Sequence, residues 1–323
     1  MPREATSREA RRGPRSVRLT SGDRDLFPPA GITKADLWDY YAAVAPALVP
    51  HLRDRPFTMK RYRQGIAGPF FFQKDAPKGM PEWIPRRPFR TYQREGGSRI
   101  VDFPLVNDEQ ALLWMVQMHC IDMNAWYSRW DKPDRPDFVL FDLDPPDGGF
   151  ALGVRAAHLV REALDALGLR SHVKTSGAEG VHVVVPITRR AGWEETREFA
   201  ERVAALLVSE NPGVVTTEWL KRKREGVYLD ARQNGPGKTI ASVYSVRPRP
   251  GAPVSTPLAW DELHAGLDPR SFTMRRVLER LQRRGDVFEP VLSRPQALAP
   301  ALRALSGRRA QAPGRSGEPG RGR

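Results

Sequence analysis

The sequence predicts an α+β fold, and three features carry the prediction: segments with a helical apolar period, short apolar runs of strand length, and Gly-rich turns between them. Thr33-Lys34-Ala35-Asp36 reads as a capping-box-like start for a helix carrying Leu37, Tyr41, Val44 and Leu48. A Pro-rich stretch over residues 65–88 reads as irregular. Asp108 opens a second helix through Leu112, Leu113, Val116 and His119. Residues 138–143 form a buried-strand candidate, and residues 151–167 a helix stopped by Gly168. Strand-like residues 171–174 and 181–187 flank the turn Ser176-Gly177-Ala178-Glu179-Gly180. A helix over residues 193–209 follows. Strand candidates at 226–230 and 239–246 flank Asn234-Gly235-Pro236-Gly237, and a basic helix covers residues 271–284. No internal repeat is visible.

Composition narrows the partners. The 323 residues hold 52 Lys+Arg against 38 Asp+Glu, a net charge of +14 with a pI near 10.4. That excess favours a polyanion, since each phosphate neutralised releases condensed counterions. Cys120 is the sole cysteine, which excludes disulfide frameworks and Cys-type zinc sites. No signal peptide and no membrane-length apolar run is apparent, so a cytoplasmic protein is expected. Residues 1–16 and 303–323 are rich in Arg, Gly, Pro and Ser and read as disordered tails.

Three motifs carry chemistry. In Phe138-Val-Leu-Phe-Asp142-Leu-Asp144-Pro-Pro, residues i and i+2 of a strand share a face, so two carboxylates can meet one cation. Their oxygens suit Mg²⁺ or Mn²⁺. A strand end whose aspartates cap the next turn gives the same pattern, and manganese-dependent glycosyltransferases also use D-x-D. Haloacid-dehalogenase phosphatases place Thr or Val where this chain has Pro146. The second motif, Lys174-Thr-Ser176-Gly177-Ala-Glu-Gly180-Val-His182, brings a hydroxyl, an imidazole and permissive glycines to a turn that can approach a phosphate; a hairpin with a core His is the plainer reading. The third runs Val227-Tyr-Leu-Asp230-Ala-Arg-Gln233-Asn234-Gly-Pro-Gly-Lys238 and ends in Tyr244-Ser-Val-Arg247. Asp230 can complete a three-carboxylate metal site, and Lys238 and Arg247 can grip a triphosphate. A hairpin-tip Asp and a solvated basic edge explain the same residues.

Taken together, D-L-D, S-G-x-x-G-x-H and L-D-x-x-Q-N with a downstream Y-S-x-R resemble the archaeo-eukaryotic primase superfamily, and within it the polymerase domain of bacterial ligase D. The segments Leu26 to Lys34, Pro50 to Pro56, Phe70 to Gly79 and Pro81-Glu-Trp83 share the resemblance, which spans about residues 17–295. It implies a primase-type catalytic core, an RRM-like β-sheet module with helices over about residues 136–302, joined to an N-terminal α/β module over about residues 17–135. Asp142, Asp144 and Asp230 would bind two Mn²⁺ or Mg²⁺ ions. Ser176, His182, Lys238 and Arg247, with Gln233 nearby, would contact an NTP or dNTP. Arg24 and Lys34 match positions that meet a 5′-phosphate; Lys60 and Arg61 would lie along DNA, and Phe71 and Phe72 would stack on template bases.

The resemblance implies a DNA-directed nucleotidyltransferase that fills gaps and ends in non-homologous end joining, with a preference for ribonucleotides and with Ku and a separate ATP-dependent ligase as partners. Lys60 is followed by Arg61-Tyr62-Arg63, not by a K-x-D-G ligase motif, and no H-x-H phosphoesterase cluster is present. Two departures bear on it: Asn124 stands where some relatives carry His, and Arg24 where Lys is common. A glycosyltransferase, a dedicated primase and a non-catalytic DNA-end scaffold remain as alternatives.

Overall fold

The computed structural model describes residues 9–12, 15–92 and 96–310. The strands β1 (Glu9–Arg12) and β2 (Arg15–Arg18) pair antiparallel, and β3 (Asp25–Phe27) and β4 (Ile32–Thr33) form a second hairpin leading into α1 (Lys34–Leu52). The capping box forms as expected. Thr33 Oγ1 accepts from the Asp36 amide at 3.2 Å, and Asp36 accepts from the Thr33 amide at 2.8 Å. Leu37, Tyr41, Val44 and Leu48 are fully buried on one face. After α1 come β5 (Phe57–Arg61), β6 (Phe71–Gln73), the long hairpin of β7 (Arg86–Tyr92) and β8 (Ser98–Pro104), α2 (Glu109–Gln117) and β9 (Asn124–Trp126). The stretch expected to be irregular thus contains β6 and the first residues of β7.

The second half runs β10 (Phe138–Asp144), α3 (Phe150–Ala166), β11 (His172–Thr175), β12 (Val181–Pro186), α4 (Trp193–Glu210), β13 (Val215–Thr216), β14 (Val227–Leu229), β15 (Thr239–Ala241), β16 (Pro257–Leu258), α5 (Met274–Arg284), α6 (Pro290–Ser293) and α7 (Ala299–Ala310). A six-stranded sheet has the order β13-β14-β10-β12-β11-β16, and a four-stranded sheet the order β15-β9-β5-β6.

The larger sheet divides two cores. Val139, Phe141 and Leu143 of β10 and Val181, Val183 and Val185 of β12 pack with Val154, Val160, Phe199 and Val203 of α3 and α4. Their alternates Leu140 and Val184 belong to the other core, with α1, α2 and β5. The two-residue strand period therefore turns Asp142, Asp144 and His182 toward the space between the layers.

Three features of the fold add to the sequence reading. The cores do not divide near residue 135: β15 returns to the N-terminal sheet, and Val243, Tyr244, Val254, Val277 and Phe288 join the first core. The strands β14 and β15 form on either side of the Gly-rich link, as expected, and belong to different sheets. Parts of the expected tails are ordered. Residues 9–12 pair with β2, whose Val17 is buried, and α7 runs past residue 302 with Leu298, Ala301 and Leu305 buried against the second core. The rest of both tails lies outside the described residues.

Candidate active site

The site begins with a lateral row of three side chains. Antiparallel register sets Asp142 of β10 opposite His182 of β12, and His182 opposite Lys174 of β11. Asp142 Oδ1 lies 3.2 Å from His182 Nε2, and His182 Nδ1 lies 2.7 Å from Lys174 Nζ. Lys174 also donates to Ser255 Oγ at 2.7 Å and to the Ala241 carbonyl at 3.1 Å, which ties the large sheet to β15 of the smaller one. Lys174 and His182 are both buried. Desolvation, then the Arg247 charge, pulls the Lys174 pKa well below its usual value, against the attraction of Asp142. Burial, followed by the Lys174 and Arg247 charges, likewise holds His182 well below the usual imidazole range. Lys174 was not singled out from the sequence; its role emerges only from this register.

Asp142 and Asp144 lie on the wall of a cleft of about 1040 Å³ between the layers. Burial pushes Asp142 up to about 6, against the pull of Lys174 and Arg247. Asp144 is also pushed up to about 6, first by burial and then by the Asp142 charge, with Arg224 opposing and Asp230 adding to the rise. Apart from the His182 contact, no ion pair among the described residues neutralises either carboxylate.

Asp230 is close to Asp142 in backbone, and its side chain is engaged in a local cap. Its amide donates to the Asp142 carbonyl at 3.0 Å, while its carboxylate accepts from the Arg232 amide at 3.1 Å, capping a short 3₁₀ turn. It is not among the residues lining the cleft. Among the described residues, no three His, Cys, Asp or Glu side chains converge closely enough to hold an ion. The Asp142–Asp144 pair by itself fits a divalent cation, because two neighbouring carboxylates, Asp142 half-buried and Asp144 exposed, repel and lack a counterion. A Mg²⁺-type ion also completes its shell with water and substrate phosphate.

The Ser176–Gly180 turn closes one side of the cleft. Ser176 Oγ accepts from the Ala178 and Gly180 amides at 3.1 and 3.0 Å, so these amides hold the turn together and do not point at the cleft. Arg247 donates to the Ser176 carbonyl at 2.6 Å, and its Nε is buried without a partner among the described residues. Gly177 has φ +71°, and a Cβ there would meet Arg247 Cγ at 2.5 Å and the Ser255 amide nitrogen at 2.7 Å; only glycine fits. Gln233 and Lys238 do not line the cleft. Within that motif the residue with a clear structural task is Asn234. Its amide group bonds both backbone groups of Leu140, at 2.9 and 2.8 Å, extending the pairing along β10.

A basic and aromatic rim faces the carboxylates. Lys60 and Phe72 line the cleft, with Lys60 Nζ 3.8 Å from Asp122 and 4.2 Å from the Phe70 ring centre. Phe70 and Phe72 are 49% and 60% exposed, against the usual burial of phenylalanine. Phe71 and Arg61 do not line the cleft; the Arg61 guanidinium lies over the Phe71 ring at 5.3 Å. Lys221, Arg224, Arg249 and Arg270 complete the rim and were not picked out from the sequence, where surface cations carry no distinguishing signal. Asn124 lines the cleft as well. Arg24 and Lys34 stand apart from it, at the C-terminal end of α2. No helix among the described residues is long and apolar enough to cross a membrane.

Comparison with known proteins identifies relatives of this chain. Residues 33–288 match the family model for the LigD primase-polymerase domain. The chain is 34% identical over 279 residues to the multifunctional non-homologous end joining protein LigD of Mycolicibacterium smegmatis, covering 85% of this chain and 36% of that protein. It is 31% identical to the bifunctional non-homologous end joining protein LigD of Bacillus subtilis, covering 87% and 45%. The chain thus spans less than half the length of these relatives. The polymerase domain of Mycobacterium tuberculosis ligase D, solved in complex with DNA, superposes with a TM-score of 0.80 at 31% identity, covering 87% of this chain and 99% of that one. This chain belongs to the LigD primase-polymerase domain family.

Proposed function

We propose that the chain is a nucleotidyltransferase that extends DNA ends during non-homologous end joining, filling gaps and overhangs against a template. The observation that carries the reading is the Asp142–His182–Lys174 row beside Asp144, set in a cleft rimmed by cations and exposed phenylalanines. One face supplies paired carboxylates, and the other the chemistry of a nucleic-acid groove. Two Mn²⁺ or Mg²⁺ ions, when bound, would lower the charge barrier to attack of the primer 3′-hydroxyl and to departure of pyrophosphate.

Asp142 and Asp144 would hold the metal. Asp230 would join them only by releasing the Arg232 amide. His182 would present Nε2 toward the phosphates. Arg247, braced on the Ser176 carbonyl, would neutralise triphosphate charge, and Ser176 would offer its hydroxyl proton, since its oxygen already accepts two amides. Lys238 would reach the triphosphate, and Gln233 the nucleotide, only if the segment after β14 closes over the cleft. Lys60 and Phe72 would guide the template, with Phe71 and Arg61 extending that surface. Arg24 and Lys34 would receive a 5′-phosphate. Preference for ribonucleotides, and partnership with Ku and a separate ligase, rest on the family resemblance alone.

The test offers a 5′-phosphorylated gapped duplex with each ribo- and deoxynucleotide, with Mn²⁺ and with chelator. Template-matched, metal-dependent extension supports the proposal. Tight binding without extension points to a DNA-end scaffold.

A further inference from the structure

The helix α5 is built one-sided. Val277 is buried, and Met274, Leu278 and Leu281 pack partly buried against the first core. The outer face carries Arg276, Arg280, Arg283 and Arg284, spaced three, four and seven residues apart, so they lie in one band. Thr273 caps the helix by accepting from the Arg276 amide, and Gly285 follows its last residue at φ +67°. The first turn holds Arg275 and Arg276 and no acidic residue. A cation there opposes the helix dipole, which favours carboxylates at an N-terminus. Helix stability therefore does not account for Arg276.

Ion pairing accounts for only two of the four. Glu262 accepts from both Arg280 and Arg284, one carboxylate shared between two cations. Glu279 accepts from Arg275 at 2.9 Å. Arg276 donates to the Ser271 carbonyl at 3.5 Å, and Arg283 to the Glu279 carbonyl at 3.3 Å. Both are exposed, and among the described residues neither forms an ion pair with a carboxylate. With Ser271 and Phe272, these side chains line a groove of about 530 Å³. The groove continues the cleft: residues 267–270 line the cleft, and Ser271 and Phe272, next in the chain, line the groove. The Val254 amide donates to the Phe272 carbonyl at 2.9 Å, which fixes the shared wall. Arg249 and Arg270 stand on the cleft side of that wall, and Arg276 on the groove side.

We infer that the Arg276–Arg283 face of α5 carries the phosphodiester backbone of duplex DNA beyond the cleft. The inference rests on the DNA-extension reading and lengthens the contact it proposes. Seven residues of helix span roughly 10 Å, about three base-pair steps of duplex, so the two guanidinium groups meet separate phosphates. Their planar forks match phosphate oxygens and read no base, as an end-processing surface requires. An acidic protein segment would satisfy the same charges, but continuity with the cleft favours the DNA already held there.

The test compares the double variant Arg276→Gln, Arg283→Gln with wild type by fluorescence anisotropy across a salt series. One primed duplex is short and ends inside the cleft; the other is long and continues past it. Tm and single-turnover extension at saturating DNA are measured alongside. Both should match wild type, since the two side chains are exposed and neither lines the cleft. On the long duplex, affinity at physiological salt should fall about tenfold, and the slope of log affinity against log salt should shrink by about 2. The short duplex should be unaffected. Glu279→Gln, which removes the acidic group between the two arginines, should tighten the long duplex. An unchanged slope on the long duplex overturns the track, as would be the case for an acidic protein partner. An equal loss on both duplexes also overturns it, because the effect then lies within the cleft. If wild type binds neither duplex, the track and the extension reading both fail; if it binds both and extends neither, only the extension reading fails.

Discussion

Lys174 Nζ sits 2.7 Å from His182 Nδ1, and this contact decides which nitrogen the imidazole turns to Asp142 and the cleft. With Nδ1 accepting from Lys174, Nε2 carries the proton at 3.2 Å from Asp142 Oδ1. Three acceptors surround the three ammonium protons: His182 Nδ1, Ser255 Oγ and the Ala241 carbonyl. Lys174→Met keeps much of the volume and removes the donor. Nucleotide incorporation in a single turnover should fall about 10²-fold, and stability by about 1–3 kcal/mol from the polar groups left unsatisfied. An unimpaired rate in a folded Lys174→Met protein would show that His182 orientation does not matter.

Metal affinity should follow the two raised carboxylates. Both must be ionised to bind a cation, and both are pushed up to about 6. Mn²⁺ affinity, measured by calorimetry, should therefore climb as pH rises through about 6 and level off above it. The metal-free protein shows the reverse sign in stability. Between the ordinary carboxylate value of 3.8 and about 6 the folded state holds more protons than the unfolded chain, so these groups lower stability as pH rises through that window. Affinity that is flat from pH 5 to 7 would remove the pair from the metal site.

Asp230 caps a short turn and is proposed to join the metal site, and one substitution separates the two. Its carboxylate now caps a 3₁₀ turn through the Arg232 amide. Asp230→Ser retains a capping oxygen and discards a carboxylate, so Tm should stay close to wild type while extension is lost. Extension by Asp230→Ser at the wild-type rate would confine Asp230 to the cap.

Phe72 should be dispensable for folding and needed for template. It is 60% exposed and borders the cleft. Phe72→Ala should leave Tm unchanged and weaken binding of a single-stranded overhang by about 1–3 kcal/mol, the worth of one stacked base. A variant that binds overhangs normally would reduce the aromatic rim to surface.

Much of this site is visible in the sequence because strand periodicity is a local property. Asp142 and Asp144, two residues apart in an apolar run, had to share a face, and Thr33 and Asp36 cap α1 by the spacing a capping box requires. Lys174 was hidden for the opposite reason. A lysine in a short strand looks solvated, and its burial depends on Ser255 and Ala241, far away in sequence. The β7–β8 hairpin was equally silent: its residues alternate between exposed and half-buried over β7, with no apolar face to betray a strand. Asn234 reads as a turn residue until its amide is seen paired to the Leu140 backbone. Nor does any local pattern reveal that residues 239–254 return to pack with the N-terminal half, which is what closes the cleft.

The most direct measurement is single-turnover extension of a primed gapped duplex by the wild type and by Asp142→Asn in Mn²⁺, with DNA affinity measured in parallel. The substitution keeps the shape and removes the charge. The wild type should add template-matched nucleotides. Asp142→Asn should bind the duplex with similar affinity and extend it at least about 10²-fold more slowly. Extension by Asp142→Asn at the wild-type rate would contradict a carboxylate-centred transfer site.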